Sequence, residues 1–219
     1  ADPEFINKAI ANKSNEINTC IACNQACLDH AFKGEIASCL VNPLACHETE
    51  IILKNTKTPK RIVVVGAGPA GLSYATTAAK RGHNVTLIEK SNSIGGQFNM
   101  AKKIPGKEEF YETLRYFDVM LQKHNVQIHL NTTFEPAMAK KYDNVILATG
   151  IIPRKPKIIG IDHPKVVSYI DVLNNKVKIG SKVALIGAGG IGFDVAEYLS
   201  HKGESSSLKT KLFMEEWGV

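Results

Sequence analysis

The feature that most constrains the fold is a glycine-rich loop that follows an apolar, β-branched run. Residues 61–65 (RIVVV) are typical of a strand buried on both faces, and residues 66–71 (GAGPAG) come directly after it. In a dinucleotide-binding unit the first glycine permits a tight turn, the second admits a pyrophosphate, and the third lets the helix pack closely on the strand. The helix that follows offers free N–H groups and the positive end of its dipole. The predicted nucleotide contacts are Gly66, Gly68, Ala70 and Gly71.

Features after this loop favour FAD as the nucleotide. A second strand, residues 85–88, ends at Glu89, whose carboxylate is placed to accept hydrogen bonds from ribose hydroxyls. A Gly-Gly pair follows this acid, and an Ala-Thr-Gly triplet closes a later apolar strand. Both are typical of flavoproteins that bind two dinucleotides, and a plain NAD fold has little need for them. The further predicted FAD contacts are Gly96, Gln97, Ala148, Thr149 and Gly150.

A second glycine loop, residues 187–192, follows the apolar run 183–186, which predicts another strand. The loop predicts a second nucleotide, NADH or NADPH, at Gly187, Gly189 and Gly192. No second strand with a terminal acid or arginine follows it, so this unit is truncated, and whether it binds a nucleotide stays open. The two units together predict an α/β fold: a doubly wound, Rossmann-like FAD/NAD(P)-binding fold that is incomplete.

Four cysteines precede the first glycine loop. Cys20, Cys23 and Cys27 form a C-x2-C-x3-C run, and Cys39 follows after a short excursion. Such thiolate sets hold zinc or iron–sulfur clusters. Structural zinc sites usually present two separated C-x2-C pairs or combine cysteine with histidine, so this spacing favours a [4Fe–4S] cluster, with a zinc site as the alternative. The fifth cysteine, Cys46, is expected to be a buried apolar thiol rather than a ligand.

The composition of the chain indicates in which cellular compartment it is expected and which classes of binding partner are not expected. Five cysteines are an odd number, and their spacing fits metal binding better than a disulfide framework, so a reducing cytoplasm is expected. The net charge is +6, but Lys and Arg are scattered and the few aromatic residues do not interleave with them, so no nucleic-acid partner is expected. No apolar run could span a bilayer and no signal peptide leads the chain, so no membrane partner is expected.

The chain resembles the bacterial NADPH-dependent 2,4-dienoyl-CoA reductases, iron–sulfur flavoproteins of the NADH:flavin oxidoreductase (old yellow enzyme) type. The resemblance covers residues 6–219 and is clearest around the cysteines and in the stretch that follows Glu89. The segments that carry it are CIACNQACLD (20–29), SCLVNP (38–43), ACHE (45–48), IGGQFN (94–99), IPGKEEFYETLRY (104–116) and GIDHPK (160–165).

This resemblance implies an electron relay. In that family NADPH reduces FAD, and FAD passes single electrons through a [4Fe–4S] cluster to FMN in an N-terminal (β/α)8 barrel. FMN then delivers a hydride to 2,4-dienoyl-CoA, and the product re-enters fatty-acid β-oxidation. The ligands of the cluster carry over onto Cys20, Cys23, Cys27 and Cys39. The barrel with its FMN has no counterpart in the chain, which by itself is therefore expected to be a catalytically inactive fragment.

The resemblance also suggests how the chain is divided. Residues 1–5 are interpreted as a cloning scar, 6–58 as a barrel tail with the cluster-binding segment, 59–160 as an incomplete FAD-binding domain, and 161–219 as a truncated start of the NAD(P)-binding domain. A dimer through exposed edges of the incomplete sheet is a further expectation. The alternatives are the relay part of an amine-dehydrogenase-like barrel flavoprotein, a stand-alone electron-transfer or binding module, and a zinc-stapled structural unit.

Overall fold

The computed structural model describes the whole chain, residues 1–219, as two compact units. The first unit contains residues 1–98 and 109–150, and the second contains residues 99–108 and 151–219. Each unit has a buried apolar cluster of its own. A separate core is what makes each of them a compact unit.

A four-stranded parallel sheet organises the first unit. Its strands are β1 (Arg61–Val65), β2 (Asn84–Ile88), β3 (Gln127–His129) and β4 (Asn144–Leu147), in the order β3-β2-β1-β4. In β1, Val63 lies opposite Thr86 of β2 on one side and Val145 of β4 on the other. The β-branched run therefore forms a central strand, as its composition predicts. The parallel sheet with its helices confirms the α/β class.

The helices are mostly short. The 3-10 helices span Ser14–Glu16, Pro136–Lys141 and Ser206–Leu208. The α-helices are α1 (Phe5–Ile10), α2 (Leu28–Phe32), α3 (Pro69–Lys80), α4 (Phe98–Ala101), α5 (Glu109–Lys123), α6 (Tyr169–Leu173), α7 (Gly190–Ser200) and α8 (Thr210–Trp217). None of them is long and apolar enough to cross a bilayer.

The core of the first unit lies between the sheet, α3 and α5. Leu72 and Ala75 of α3 pack with Leu87 of β2 and with Leu114 and Leu121 of α5. The two leucines of α5 are seven residues apart and share one buried stripe, as is typical of an amphipathic helix. Because this cluster joins β1, β2 and α3, it also fixes the loop that connects β1 to α3.

The second unit packs the stretch 99–108 with α6 and α7. Ile104, Val172, Leu173 and Val195 form its buried cluster. Lys107 forms an ion pair with Asp194 of α7, with Nζ and Oδ1 2.6 Å apart. This unit is therefore held by a few apolar side chains and helices rather than by a sheet.

Residues 183–186 do not form the strand that their apolar run predicts. They have no regular secondary structure, and Val183, Leu185 and Ile186 are all exposed. A strand is stabilised by hydrogen bonds to a neighbouring strand, and the four strands of the chain all belong to the sheet of the first unit. The strand predicted at residues 183–186 is therefore wrong, because the run has the composition of a buried strand but no partner strand in the second unit.

Replacing a buried leucine of α5 tests the core. Leu121→Ala is expected to lower the free energy of unfolding by about 2–5 kcal/mol, because the fully buried side chain leaves a cavity. Leu147→Ala is the control, since this leucine of β4 is 73% exposed. It should change the free energy of unfolding by no more than about 0.5 kcal/mol. Urea unfolding followed by circular dichroism measures both, and equal losses would contradict the packing described.

Candidate functional site

The turn from β1 into α3 contains two backbone contacts that require glycine. Gly66 has φ +102°, and a Cβ on it would lie 2.4 Å from the carbonyl O of Ala148. A Cβ on Gly71 would lie 1.9 Å from the carbonyl O of Gly66. Both distances are far shorter than van der Waals contact, so this turn closes only with glycine at the two positions. The structure thus has the tight turn and the close helix packing that the sequence predicts.

Gly68 faces open space at the N-terminus of α3. It is the N-cap residue, its backbone is extended, and no atom would lie within 4 Å of a Cβ placed on it. The N–H groups of the first helical turn have no acceptor within the helix, and Ala70 in this turn is exposed. A phosphate can therefore approach the backbone and be stabilised by the N–H groups and the helix dipole. This open cradle fits the pyrophosphate of a dinucleotide.

Glu89 lies at the end of β2, and its carboxylate is bonded to the glycine loop. Its Oε2 accepts a hydrogen bond from the N–H of Ala67, and its Oε1 accepts one from the N–H of Ser91, both at 2.8 Å. Burial acts to raise the pKa of Glu89, but these donors outweigh burial and hold the pKa below its ordinary value. Each carboxylate oxygen has a second lone pair, so Glu89 can also accept a bond from a ribose hydroxyl.

The Gly-Gly pair that follows β2 lies against the same loop. Gly95 donates its N–H to the carbonyl O of Ala67 at 2.7 Å. A Cβ on Gly96 would come within 3.0 Å of the Cα of Gly68, and Gly96 has φ +53°. The next residue along the chain, Gln97, is exposed. The structure therefore brings the Gly-Gly-Gln segment to the open cradle at the start of α3.

The Ala-Thr-Gly triplet borders the loop on the side of β4. Ala148 donates its N–H to the carbonyl O of Val65 at 2.8 Å, and the Cα of Thr149 would lie 3.2 Å from a Cβ on Gly66. Thr149 and Gly150 are exposed. The residues predicted to bind FAD thus meet at the carboxyl ends of β1, β2 and β4, which is where open α/β sheets bind ligands.

The second glycine loop repeats the shape of the first within its own unit. Gly187 has φ +114°, and Gly189 is the N-cap of α7 with an extended backbone. A Cβ on Gly192 would lie 2.3 Å from the carbonyl O of Gly187. The three predicted contacts are therefore brought together at the N-terminus of a helix. They lack the preceding strand that positions the first loop, because residues 183–186 form none.

The four predicted ligands of the cluster are free thiols. Cys20 and Cys27 are exposed, and Cys23 and Cys39 are half-buried. The N–H of Ala22 donates to Sγ of Cys20 at 3.4 Å. No three Cys, His, Asp or Glu side chains in the chain are grouped as ligands around one point. The four cysteines lie on one segment of the chain, and their convergence on a cluster stays a prediction.

One backbone contact in the cysteine segment, residues 20–39, brings two of the predicted ligands onto neighbouring stretches of chain. The N–H of Ser38 donates to the carbonyl O of the buried Ala26 at 2.6 Å. The residues that follow these two, Cys39 and Cys27, therefore lie on adjacent stretches of chain. This contact concerns Cys27 and Cys39, and the four thiols together supply the donor chemistry that iron–sulfur clusters require.

Cys23 lies between two residues with left-handed backbone. Ala22 has φ +52° and Asn24 has φ +56°. Asparagine adopts this conformation readily, whereas it is uncommon for alanine. Such backbone occurs where the surrounding structure imposes it, and it is concentrated at ligand-binding sites. The conformation at Ala22 thus independently marks the neighbourhood of Cys23 as a candidate site.

The expectation that Cys46 is a buried apolar thiol is wrong. Cys46 is exposed and has φ +63°, in a turn where the N–H of His47 donates to the carbonyl O of Leu44 at 2.8 Å. The turn carries the thiol to the surface, because no helix or strand of the segment covers it. His47 is paired with Glu50, whose Oε2 lies 3.0 Å from Nδ1.

Sequence reasoning did not single out Arg115, which links the residues just before Cys20 to α5. Its Nη2 donates to the carbonyl O of Ile17 at 2.9 Å and to Oγ1 of Thr19 at 3.3 Å, immediately before Cys20. The only nearby residue in the sequence that indicates a partner for Arg115 is the acid Glu112, one helical turn earlier. That pairing is typical of an exposed helix face and gives no indication of partners almost a hundred residues away.

The fold and the geometry of the glycine loops define an FAD/NAD(P)-binding oxidoreductase domain. Residues 60–211 match the model of the pyridine nucleotide-disulphide oxidoreductase family, and the chain belongs to that family. This result confirms the predicted Rossmann-like class and the assignment to the oxidoreductases. The finer assignment to the 2,4-dienoyl-CoA reductases stays a prediction.

Known relatives include a metal reductase and an NADH oxidase. The chain is 38% identical over 209 residues to a metal reductase of Desulforamulus reducens, covering 93% of this chain and 31% of that protein. It is 39% identical over 213 residues to an NADH oxidase of Thermoanaerobacter brockii, covering 93% and 32%. Among solved structures, the complex of 2-naphthoyl-CoA reductase with 2-naphthoyl-CoA superposes with a TM-score of 0.89 at 34% identity, over 100% of this chain and 36% of that one. The chain thus spans about a third of the length of these relatives.

Two glycine-to-alanine substitutions are expected to affect different properties, one the stability of the fold and the other the affinity for FAD. Gly71→Ala should lower the free energy of unfolding by about 2 kcal/mol or more, because its Cβ overlaps the carbonyl of Gly66. Gly68→Ala should change it by no more than about 1 kcal/mol, since the Cβ meets open space. The Gly68→Ala variant should also weaken FAD binding about tenfold or more, because the added methyl group lies where the pyrophosphate approaches.

Urea unfolding and fluorescence titration with FAD measure these two effects. If Gly68→Ala bound FAD as tightly as the parent chain, the nucleotide would have to lie elsewhere.

The lowered pKa of Glu89 predicts a pH dependence of stability. The folded chain holds the ionised carboxylate more strongly than the unfolded chain, so its contribution is complete above the ordinary pKa of 4.5. The contribution is lost as the pH falls from 4.5 through the lower pKa of the folded chain. Glu89→Gln should cost about 1–3 kcal/mol at neutral pH and flatten this acid dependence.

Denaturant unfolding at neutral pH and below pH 4.5 measures the difference. The control Glu48→Gln changes an exposed acid and should keep the pH dependence of the parent. An unchanged acid slope in Glu89→Gln would show that the carboxylate does not hold the loop.

Proposed function

We propose that this chain is the electron-relay part of a flavin-dependent reductase. FAD would bind at the glycine loop of the first unit, and a [4Fe–4S] cluster would bind at Cys20, Cys23, Cys27 and Cys39. The observation that carries the proposal is that one compact unit contains both an open dinucleotide cradle and a segment with four free thiols. A plain nucleotide-binding domain has no use for such a segment, and a zinc-stapled unit has no use for the cradle.

The residues of the cradle would bind and orient the nucleotide. The first-turn N–H groups of α3 and its dipole would stabilise the negative charge of the pyrophosphate, which the open face of Gly68 admits. The ionised Glu89 would accept a hydrogen bond from a ribose hydroxyl while it holds the N–H of Ala67. The backbone at Gly96, which lies against Gly68, would pass close to the flavin nucleotide.

The cysteine segment would hold the cluster through deprotonated thiols. The N–H of Ala22 donates to Sγ of Cys20, which stabilises negative charge on that sulfur. Hydrogen bonds of this kind also tune the potential of an iron–sulfur cluster. When bound, FAD accepts two electrons as a hydride and the cluster carries single electrons, so the pair links a nicotinamide donor to a one-electron path.

The nicotinamide nucleotide would bind in the second unit. Gly187, Gly189 and Gly192 form an open turn at the N-terminus of α7, the same backbone arrangement as at the first loop. The resemblance to the NADPH-dependent 2,4-dienoyl-CoA reductases favours NADPH as this nucleotide, and NADH is the alternative.

We further propose that the whole protein reduces a conjugated acyl-CoA thioester, with 2,4-dienoyl-CoA as the expected substrate. Two observations support this substrate class: the shared motifs around the cysteines, and the TM-score of 0.89 with 2-naphthoyl-CoA reductase. Reduction of the thioester would take place at FMN in a barrel domain of a longer protein. The chain covers about a third of each relative, which leaves room in a longer protein for a barrel domain with FMN and the substrate site.

Metal and flavin analysis of anaerobically purified protein tests the proposal. Iron, acid-labile sulfide and FAD are expected in the parent chain, and Cys23→Ala should lose the iron and sulfide because a ligand is removed. Cys46→Ala is the matched control: it removes an exposed thiol outside the predicted ligand set and should keep both. Undiminished iron in Cys23→Ala, or zinc without sulfide in the parent, would contradict the cluster.

A further inference from the structure

One arginine of helix α5 binds several acceptors on the segment that leads into the cysteines. Arg115 donates from Nη2 to the carbonyl O of Ile17 and to Oγ1 of Thr19, at 2.9 and 3.3 Å. It also donates from Nη1 to the carbonyl O of Asn15. Three acceptors on residues 15–19 are therefore bound by one guanidinium, immediately ahead of Cys20.

The guanidinium is itself held in a fixed orientation. Its Nε donates to Oε2 of Glu112, one turn earlier on α5, at 2.6 Å. The side chain of Arg115 is 28% exposed, so these bonds are partly shielded from water. A planar guanidinium directs its donors in fixed directions, whereas the single ammonium of lysine cannot reach such separated acceptors. The guanidinium of Arg115 therefore fixes the relative positions of its acceptors on residues 15–19 and also supplies a positive charge.

Helix α5 also packs in the apolar core that holds the glycine loop in position. Leu114, next to Arg115 in the chain, is buried with Leu121, Leu72 and Leu87. Leu72 belongs to α3, which begins at the glycine loop. The arginine therefore connects the segment before Cys20 to the elements that position the nucleotide cradle.

We infer that Arg115 is a positioning residue that sets Cys20 relative to the nucleotide cradle. The role of the cysteine rests on the proposed function. Electron transfer between two cofactors requires that their separation be held constant, and the chain before Cys20 forms no long helix or strand that could hold it. The bonds from Arg115 to two carbonyls and one hydroxyl of residues 15–19 join this segment to α5 and leave the thiols free to bind the cluster. Lys8 and Asn18 hold the same segment to other parts of the chain, but not to α5.

A second contact between α5 and the same segment supplies a control. Nζ of Lys123 lies 2.5 Å from Oε2 of Glu16, but this pair joins two side chains and Lys123 is 44% exposed. Pairs of this kind contribute little to stability and do not fix the backbone. Removing the charge of Lys123 therefore changes the electrostatics of the same contact region without removing the backbone clamp.

The experiment compares the parent chain with Arg115→Lys, Arg115→Gln and Lys123→Gln. Hydrogen exchange is measured first at the amides of Glu16, Ile17 and Asn18, each of which donates a hydrogen bond in the structure. Protection at these amides is expected to fall about tenfold or more in both Arg115 variants, because bonds to a charged donor are lost. Lys123→Gln should keep the protection of the parent.

Cofactor readouts of the same four proteins separate positioning from general destabilisation. FAD content should be equal in all of them, which shows that the nucleotide-binding core is folded. The reduction midpoint of the cluster and its electron paramagnetic resonance spectrum should change in both Arg115 variants and stay unchanged in Lys123→Gln.

Two outcomes would overturn the inference: parent-like protection in Arg115→Lys or Arg115→Gln, or an equal loss of protection in Lys123→Gln. If the parent chain held no iron and sulfide, the proposed cluster would be refuted. The exchange comparison would then still support or overturn the role of Arg115 in holding residues 15–19, because it needs no cofactor.

Discussion

A backbone contact that tolerates no side chain sets the geometry of the nucleotide site. The Cα of Gly71 faces the carbonyl of Gly66, and the Cα of Gly66 faces the carbonyl of Ala148, each too closely for a Cβ. These contacts draw the end of β1, the start of α3 and the end of β4 together. They leave Gly68 on the open side of the turn, at the positive end of a helix dipole. The cradle is thus a consequence of how the chain packs below it.

Polar contacts extend this arrangement outward from the loop. Glu89 accepts a hydrogen bond from the N–H of Ala67 and so ties the end of β2 to the loop, and this bond favours the ionised carboxylate. Arg115 ties the chain ahead of Cys20 to α5, which packs in the same core as α3. A single apolar cluster therefore positions both the cradle and the start of the cysteine segment. In the proposed function, this shared support is what sets the two cofactors relative to each other.

Local sequence patterns were sufficient to predict those elements whose structure depends on residues close by in the chain. The strand β1 and the turn of the glycine loop occur where the sequence predicts them, because the β-branched run and the backbone sterics of glycine are local features. Features that depend on distant partners were not predictable. Residues 183–186 have strand composition but no strand to pair with, and nothing in the sequence around Arg115 indicates Ile17 as its acceptor.

Photoreduction of the protein that carries both cofactors tests the relay most directly. Illumination with EDTA under anaerobic conditions reduces the flavin, so a cluster signal in the electron paramagnetic resonance spectrum can appear only through transfer from it. The account predicts that flavin bleaching is accompanied by the signal of a reduced [4Fe–4S] cluster. Complete flavin bleaching without a cluster signal, in protein whose iron and sulfide have been verified, would contradict it.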